Sequence, residues 1–371
     1  MLRLLASLLT VLALACSQAE TPAADTTAEP AANAMAEVPT ESEPEPVDAA
    51  REALRIRASA IFGGMPDEVS NEANPVTEEK VSLGRMLYYE KRLSKNHDIA
   101  CNSCHQLDAF GVDGEATSPG HRGQRGDRNS PTVYNAALHI TQFWDGRAPD
   151  VEAQAKGPVL NPIEMAMRDE ASVVAVLNSI PDYPPLFAEA FPDDAEPLTY
   201  DNMARAIGAF ERRLTTPSRF DAFLEGQIDA LSDDEAAGLE TFFAVGCIQC
   251  HVGPAIGGGS YQKLGRNLPY PTEDPGRAGV TGDEADRGFF KVPSLRNIEQ
   301  TGPYFHDGSI ASLDEAVRLM GRHQLGIELT DPQQTEILAF LASLTGQVDE
   351  AYIQQPQLPE RGLDTPAPDP R

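Results

Sequence analysis

"LSDDEAAGLETFFAVGCIQCH", residues 231–251, ends in two cysteines that are separated by two residues and followed directly by a histidine. The same pattern, "CNSCH", occupies residues 101–105, and the two copies use four of the five cysteines in the chain. Two disulfides, or one zinc site with four cysteine ligands, would not require a histidine after each pair. C-x-x-C-H is instead the attachment motif of c-type haem, in which both thiols bond the porphyrin and the histidine binds the iron. The sequence therefore predicts two covalent haems on Cys101, Cys104, Cys247 and Cys250, with His105 and His251 as proximal ligands.

A helix is predicted directly before each motif. Before the second motif, Ser232 and Glu235 form a capping box, and Gly246 can end the helix. Before the first motif, in "PVTEEKVSLGRMLYYE", three apolar residues share one helical face: Leu83, Met86 and Leu87.

A second helix that closes over each haem would complete the plan of a small cytochrome c. The candidates are "YDNMARAIGAFERRL", residues 200–214, and "TDPQQTEILAFLASLTG", residues 330–346. No stretch shows convincing strand alternation. The predicted fold class is mostly α, with two cytochrome c-like haem domains in one chain. The predicted bounds of these domains are 51–227 and 228–347, followed by a Pro-rich tail over 348–371.

Residues 1–16 are expected to direct export. Leu4–Ala15 carry no charge, and such a stretch is too short to span a bilayer, which takes roughly 20 apolar residues. "ALAC" resembles a bacterial lipoprotein signal that would leave Cys16 lipidated, whereas "ALA" is also a site for ordinary signal peptidase, which would leave a free thiol. Ser17 after the cysteine resembles an outer-membrane address. The expected location is the periplasm, with a lipid tether to the outer membrane.

Residues 17–50 contain eight acidic residues and neither Lys nor Arg. They have few large apolar groups to repay the entropy of ordering, so a disordered linker is expected. Removing the linker's −8 and the +1 of Arg3 from the total charge of −28 leaves −21 on residues 51–371. This acidity argues against nucleic-acid binding, which needs a basic face. It suits solubility or the steering of a positively charged protein partner.

The second haem has few candidate distal ligands. Met320 is the only methionine after the second motif, and His306 and His323 are the competing donors. Met320 and His323 are three residues apart and would share a helical face, so one could displace the other. Ligation by His and Met raises the potential of a haem, which favours Met320 at a site that stores an electron.

The distal ligand of the first haem stays open on residue evidence. The candidates are His121, His139, Met165, Met167 and Met203, unless that face is open. His121 lies in a segment with five glycines, which permit unusual backbone angles and indicate a loop able to rearrange. It is therefore either a mobile ligand or a surface histidine in an exposed loop. The glycines are Gly111, Gly114, Gly120, Gly123 and Gly126.

Taken in order, the motifs resemble the bacterial dihaem cytochrome c peroxidases. The resemblance covers roughly residues 51–346 and rests on "LGRMLYYEKRLS", "CNSCH", "GVDGEATSPGH", "RNSPTVYNAA", "FWDGR", "NPIEM", "GCIQCH", "VPSLRNIEQTGPYFHDGSI" and "LDEAVRLM". It implies that the N-terminal haem reduces hydrogen peroxide to water. The C-terminal haem, with Met320 as ligand, would receive electrons from a small cytochrome c or a cupredoxin.

The resemblance also implies roles for residues around the first haem. His121 matches a distal histidine that closes the peroxide haem in the oxidised enzyme and leaves when the second haem is reduced. Glu164 matches the glutamate that moves a proton between the peroxide oxygens, which is acid–base work. Gln154 and Phe143 match its neighbours in the pocket. Trp144, the only tryptophan in the chain, matches a tryptophan that lies between the haems.

A calcium ion at the domain interface is a further implication of the resemblance. Its ligands would be one side-chain amide and two carbonyls, at Asn129, Thr301 and Pro303, and such oxygen donors suit calcium. Members of the family are often dimers, so a homodimer is allowed.

Two rival functions remain. A related dihaem oxidase, which matures a protein cofactor, has a tyrosine in place of the distal methionine, so Met320 argues against it. A dihaem electron carrier without catalysis would need neither Glu164 nor a mobile His121 loop.

Overall fold

Thirteen α-helices and one short pair of strands make up the regular structure of residues 46–371, the part of the chain that this computed structural model describes. The strands β1 (Tyr261–Lys263) and β2 (Phe289–Lys291) pair antiparallel. The predicted fold class, mostly α, is confirmed, and strands of three residues are too short to show alternation in the sequence. The helices are α1 (Pro46–Phe62), α2 (Glu78–Tyr88), α3 (Cys101–Cys104), α4 (Val151–Leu160), α5 (Glu170–Asn178), α6 (Tyr183–Ala190), α7 (Tyr200–Glu211), α8 (Arg219–Leu224), α9 (Asp233–Val245), α10 (Ala278–Thr281), α11 (Leu313–Met320), α12 (Asp331–Ser343) and α13 (Glu350–Ile353).

The helices that lead into the two motifs occur where the sequence predicts them. At the start of α9, the Ser232 hydroxyl accepts a hydrogen bond from the Glu235 N–H, and the Glu235 carboxylate accepts one from the Ser232 N–H. Gly246 ends this helix with φ of 98°, a left-handed conformation that glycine adopts without a Cβ clash. At the start of α2, the hydroxyl of Thr77 accepts a hydrogen bond from the Lys80 N–H at 3.3 Å.

Each leading helix crosses its closing helix at a glycine. A Cβ added to Gly84 of α2 would lie 1.9 Å from the Ala206 carbonyl oxygen of α7. A Cβ added to Gly238 of α9 would lie 2.0 Å from the Glu336 carbonyl oxygen of α12. Both distances are far inside van der Waals contact, so only glycine allows these backbones to approach so closely. The two closing helices are therefore present, and both halves repeat one packing arrangement.

Buried apolar side chains form two main cores, the first around α2 and α7 and the second around α9 and α12. The first and the last helix each pack against the core that is more distant in sequence. α1 buries Leu54, Ala58 and Phe62 in the second core, whereas α13 buries Ile353 in the first. Each core therefore contains residues from a distant part of the chain. Neither core is formed by one continuous range of residues.

α1 begins at Pro46, so residues 46–50 are helical and not part of the expected linker. Proline is compatible with the first turn of a helix, and apolar residues four apart on one face, beginning with Leu54, anchor this helix to the second core. The expected export signal, its Cys16 and the remainder of the linker lie outside the described residues. Among the helices from Pro46 onwards, none has the length and apolar character needed to cross a membrane.

The Pro-rich tail, residues 348–371, packs against the first half of the chain. The Tyr352 ring stacks on Phe210 with centroids 5.1 Å apart, and its hydroxyl donates to the Phe210 carbonyl oxygen at 2.8 Å. Near the end of the tail, the Asp369 N–H donates to the Lys95 carbonyl oxygen at 3.0 Å. Residues near both ends of the tail therefore form hydrogen bonds with the first half.

Candidate active site

The first motif forms a single helical turn, α3. Cys101 and Cys104 are free thiols and not a disulfide. The Tyr88 hydroxyl, at the end of α2, donates to the His105 carbonyl oxygen at 2.8 Å and ties the motif to its leading helix. Burial lowers the pKa of the His105 imidazole, which favours the neutral form that can bind a metal.

His121 lies inside the protein, with only 5% of its surface exposed. Its backbone N–H donates to the Glu164 carbonyl oxygen at 2.7 Å. Gly120 presses on the same segment, because an added Cβ would lie 2.0 Å from the Ile163 carbonyl oxygen. The ring Nδ1 of His121 is buried without a hydrogen-bond partner among the described residues. The alternative of a surface histidine in an exposed loop is therefore wrong, since this loop packs on Glu164 and Ile163.

Glu164 has the properties of an acid–base group. Its Oε1 accepts a hydrogen bond from the Asn161 side-chain amide at 2.9 Å. Burial raises the pKa of the Glu164 carboxyl, and the charge of Arg147 opposes that rise. Burial also raises the pKa of the Cys104 thiol to about 11, and the negative charge of Glu164 adds to this rise. Glu164 thus lies near the first motif, with a pKa shifted in the direction that suits proton transfer near neutral pH.

Phe143 lies against α4, the helix that contains Gln154. The Arg147 guanidinium lies over the Phe143 ring, 3.4 Å from its centroid. A Cβ added to Gly157 of α4 would lie 3.6 Å from the same ring. Gln154 is half-buried one turn before Gly157. The structure therefore gathers Phe143, Arg147 and Glu164, and places Gln154 on the helix that borders them.

Trp144 connects the two halves of the described chain. Its indole N–H donates to the Asn129 carbonyl oxygen at 2.9 Å. Its own carbonyl oxygen accepts a hydrogen bond from the Lys291 N–H at 2.8 Å, at the end of β2. Trp144 is therefore held by the first half at its side chain and by the second half at its backbone, and it lines the cavity of the second motif.

The remaining candidates for the first distal ligand have other surroundings. Met165, Met167 and Met203 are buried in the first core. His139 contacts the ammonium of Lys291, with its Nδ1 2.8 Å from Nζ. His121 is the candidate that the structure brings beside Glu164.

The second motif opens onto a largely apolar cavity. Cys247, Cys250, His251 and Met320 all line it. Nδ1 of His251 lies 3.2 Å from the Ile256 carbonyl oxygen, so Nδ1 carries the proton and Nε2 is left to bind a metal. Burial lowers the pKa of His251 to about 4, which keeps the ring neutral at pH 7.

Of the two competing residues Met320 and His323, Met320 lines this cavity. α11 ends at Met320, and a wider π-helical turn over Gly321–Leu325 follows it. His323 lies in that turn, where its Nδ1 donates to the Leu268 carbonyl oxygen at 2.9 Å. His306 also lines the cavity, but its Nε2 lies 3.1 Å from the Thr272 hydroxyl. The geometry therefore favours Met320 as the distal donor at the second motif.

Asn129, Thr301 and Pro303, the expected calcium ligands, line the same cavity as the second motif. The Asn129 amide nitrogen donates to the Glu115 carbonyl oxygen at 3.0 Å, which leaves its Oδ1 as the available donor atom. No group of three or more His, Cys, Asp and Glu side chains in residues 46–371 is placed to hold a metal ion. A cation site here would depend on amide and carbonyl oxygens.

Sequence reasoning missed the neighbours that hold Glu164. Asn161 had a local signal, because an asparagine three residues before the glutamate can turn the chain back on itself. Its Oδ1 accepts the Ile163 N–H at 3.0 Å, as in an Asx turn. Arg147 had no such signal, since 17 positions separate it from Glu164.

Comparisons with known proteins match this chain over most of its length. The family model described as di-haem cytochrome c peroxidase matches residues 78–229. Cytochrome c551 peroxidase of Nitrosomonas europaea is 46% identical over 321 residues, which cover 86% of this chain and 95% of that protein. Cytochrome c551 peroxidase of Pseudomonas aeruginosa is 41% identical, covering 85% of this chain and 93% of its own length.

Two further comparisons are with a MauG protein and a MauG-like protein. Methylamine utilization protein MauG of Methylophilus methylotrophus is 32% identical over 304 residues, covering 78% of this chain and 88% of that protein. The crystal structure of a MauG-like protein associated with microbial copper homeostasis superposes with a TM-score of 0.70 at 31% identity. It covers 79% of this chain and 97% of the other.

Both motif regions fit the two haem c groups that this family implies. At each motif, two unbonded thiols precede a half-buried histidine whose neutral form is favoured. The second region adds a thioether donor in an apolar cavity, and the first adds the buried Nδ1 of His121. With relatives above 40% identity over most of both chains, this chain belongs to the di-haem cytochrome c peroxidase family.

Proposed function

We propose that this protein is a cytochrome c peroxidase that reduces hydrogen peroxide to two waters, with two electrons and two protons. The electrons would come from a small cytochrome c or a cupredoxin. The observation that carries the proposal is the pairing of Glu164, whose pKa is raised, with the buried His121 beside the first C-x-x-C-H motif. The relatives named cytochrome c551 peroxidase support the same activity.

Haem c at the first motif would supply the iron that binds and reduces peroxide. His105 and His121 would be the residues that hold that iron in the resting protein. Glu164 would take the proton from one peroxide oxygen at its carboxylate and deliver it to the other oxygen, which leaves as water. Asn161 would keep the carboxylate in place through its hydrogen bond.

His121 would act as a removable ligand. The hydrogen bond from its backbone to Glu164 holds the loop closed, while no described protein group holds the ring Nδ1. Gly111, Gly114 and Gly123 have positive φ values in this region, so the loop contains points at which the backbone can turn. Release of His121 would expose the pocket that Glu164 serves.

His251 and Met320 would hold the second haem in the apolar cavity. Axial ligation by His and Met raises the potential, which suits a group that takes electrons from a donor protein. Trp144, held from both halves by its indole and its carbonyl, would lie on the path between the two motifs.

A calcium ion bound by Asn129, Thr301 and Pro303 is part of the proposal. All three residues line the cavity of the second motif, and Asn129 also accepts the Trp144 indole N–H on its carbonyl oxygen. A cation at Asn129 would therefore stiffen the segment against which Trp144 rests.

Outside the described residues, we propose lipidation of Cys16, which would tether the protein to the outer membrane on the periplasmic side. The support is the "ALAC" sequence and the acidic linker that follows it. A homodimer is a further expectation from the family resemblance. Ultracentrifugation of the full chain tests the dimer, and mass spectrometry tests the lipid.

Oxidative maturation of a protein cofactor is the second candidate function. The similarity to MauG and to a MauG-like structure favours it. Met320 in the cavity of the second motif argues against it, because the resemblance gives that group a tyrosine at this position.

Peroxide turnover by the haem-loaded protein, measured fully oxidised and after one-electron reduction with the haem spin state, tests the proposed function. We expect turnover and a high-spin signal only after the first electron. Turnover in both states would remove His121 as the resting ligand. Absence of turnover with two low-spin haems would reject the peroxidase in favour of an electron carrier.

A further inference from the structure

Lys291, the last residue of β2, is a buried cation to which the mechanism above gives no side-chain role. Only 6% of its surface is exposed. Its ammonium lies 2.8 Å from Nδ1 of His139, and that ring is its hydrogen-bond partner among the described residues. Burial lowers the pKa of Lys291 to about 8, so the side chain is still mostly charged at pH 7. An ammonium buried without a counter-charge is energetically costly.

The side chain of Lys291 lines the cavity of the second motif. His139 lines it too, whereas the described residues contribute no Asp, Glu or Arg to this lining. The whole chain has a net charge of −28, so a single full positive charge in an apolar cavity runs against the overall composition. The electrostatics of this cavity therefore favour an anion.

His139 fixes the position of this ammonium. A lysine ammonium can only donate hydrogen bonds, so Nδ1 of His139 must accept, and the imidazole proton resides on Nε2, on the opposite side of the ring. The Lys291 ammonium has three N–H donors and uses one of them for His139. The remaining donors and the positive charge match a carboxylate oxygen, which carries a negative charge.

We propose that the Lys291 ammonium, held in place by His139, forms a carboxylate subsite, and that its occupant is a propionate of the haem c held by the second motif. This inference rests on the proposed function only for the presence of that haem. The porphyrin carries propionates as its only anionic groups, and the same cavity contains the cysteines and histidine that would attach it.

Two consequences follow for electron transfer. A positive charge that neutralises a propionate disfavours the more positive, oxidised iron, so Lys291 raises the midpoint potential of the second haem. Lys291 also donates its backbone N–H to the Trp144 carbonyl oxygen at 2.8 Å. One residue therefore sets the charge beside the second haem and fixes the tryptophan between the motifs.

The test is a redox titration of the haem-loaded full chain, with the two haems followed separately and haem content measured alongside. Lys291→Met removes the charge, Lys291→Gln keeps a polar side chain without it, and Lys291→Arg keeps the charge. Lys80→Met is the matched control, because Lys80 is 7% exposed but bonds Asn74 and Pro75 outside this cavity.

We expect a downward shift of the second haem's midpoint potential in Lys291→Met and Lys291→Gln, and a value near the wild type in Lys291→Arg and Lys80→Met. If Lys291→Met does not assemble, Lys291→Gln decides the question. An unchanged potential in the neutral variants overturns the subsite, as does an equal shift in Lys80→Met. A wild-type potential that follows the concentration of added chloride or phosphate would assign the site to a solvent anion and overturn the propionate.

The two proposals fail in different ways. Wild-type protein that carries two haems and turns over peroxide, combined with neutral Lys291 variants of unchanged potential, rejects the subsite alone. Wild-type protein without turnover rejects the peroxidase, whereas the comparison of potentials still decides the role of Lys291.

Discussion

The two C-x-x-C-H regions share one construction and differ in what surrounds it. In both, a leading helix and a closing helix cross at a glycine, Gly84 in the first region and Gly238 in the second. Beside the first motif lies a half-buried carboxyl of raised pKa, Glu164, next to a histidine carried by a loop. Beside the second lies an apolar cavity with Met320, which ends a regular helix.

This difference shows how one attachment motif can serve two chemical purposes. A ligand on a helix is held by the hydrogen bonds of that helix, and α11 is further fixed by the Ser312 hydroxyl, which accepts the Glu315 N–H at 3.2 Å. His121 begins only a short 3₁₀ turn, His121–Gly123, and its backbone N–H donates to the Glu164 carbonyl oxygen. This contrast supports the proposal that the first region opens and transfers protons, whereas the second holds its haem with fixed ligands.

Loss of the Glu164 carboxylate should have the largest effect on function. We expect Glu164→Gln to lower the peroxide turnover number by about 100- to 10,000-fold, the usual contribution of a general acid–base group. Both haem spectra should be unchanged, because Glu164 is not a ligand. Stopped-flow turnover measures this, with Glu170→Gln, at an exposed position of α5, as the matched control. Equal turnover rates in wild type and Glu164→Gln would show that the Glu164 carboxylate is not catalytic.

The same carboxyl should shape the pH profile. Glu164 must be ionised to accept a proton, and burial raises its pKa above the usual 4.5. The carboxyl therefore becomes protonated, and turnover falls, as the pH is lowered through that raised pKa, so the acid limb lies above pH 4.5. The residual activity of Glu164→Gln should lack this limb. A limb that persists in the variant would assign the titration to another group.

Breaking one buried ion pair should destabilise the second region. Arg296 and Asp221 form two hydrogen bonds of 2.7 Å, and both residues are buried. Asp221→Asn leaves the guanidinium without a counter-charge and should lower the free energy of unfolding by about 3–5 kcal/mol. Denaturation followed by circular dichroism measures the loss. Asp233→Asn, which removes an exposed partner of Arg51, should cost less than about 1 kcal/mol.

A methyl group added at Gly120 should favour an open position of the loop that carries His121. Its Cβ would meet the Ile163 carbonyl oxygen at 2.0 Å, so the loop with His121 must move away, at a cost of about 1–3 kcal/mol. We expect Gly120→Ala to show a high-spin fraction and peroxide turnover before any reduction. Gly126→Ala is the control, because that position has open space and no positive φ. An oxidised Gly120→Ala protein as inactive as wild type would mean that the loop does not gate the site.

The sequence was sufficient for features that depend on neighbouring residues. The capping box from Ser232 to Glu235 and the helix end at Gly246 are local patterns, and the structure confirms them. The spacing of Met320 and His323 in the sequence could not show which of them faces the cavity. The π-helical turn after α11 decides this, because it directs His323 to Leu268.

Features that join distant parts of the chain were not predictable in this way. Lys291 and His139 are 152 residues apart and meet through packing of the two halves. The crossing of α1 into the second core likewise depends on tertiary contacts that no local pattern specifies. For the same reason, the tail was expected only from its proline content, without its contacts to the first half.

Removal of the last part of the tail, residues 361–371, should have the smallest effect on stability. This effect should be confined to the first region. The Asp369 N–H bonds the Lys95 carbonyl oxygen, and the Lys95 N–H in turn bonds the Met165 carbonyl oxygen at 2.8 Å, next to Glu164. Ending the chain after Glu360 removes the first of these bonds and should cost about 1–2 kcal/mol, because a net hydrogen bond contributes about 1 kcal/mol.

Amide hydrogen exchange gives the readout for this truncation. The Lys95 amide should exchange faster, whereas the Asn297 amide, bonded to the Leu344 carbonyl oxygen in the second region, should keep its rate. Faster exchange at both amides would mean that the tail supports the whole fold. An unchanged Lys95 amide would mean that it only covers the surface. Selective loosening at Lys95 would make the tail a brace for the catalytic segment, since the bond to Met165 joins the two.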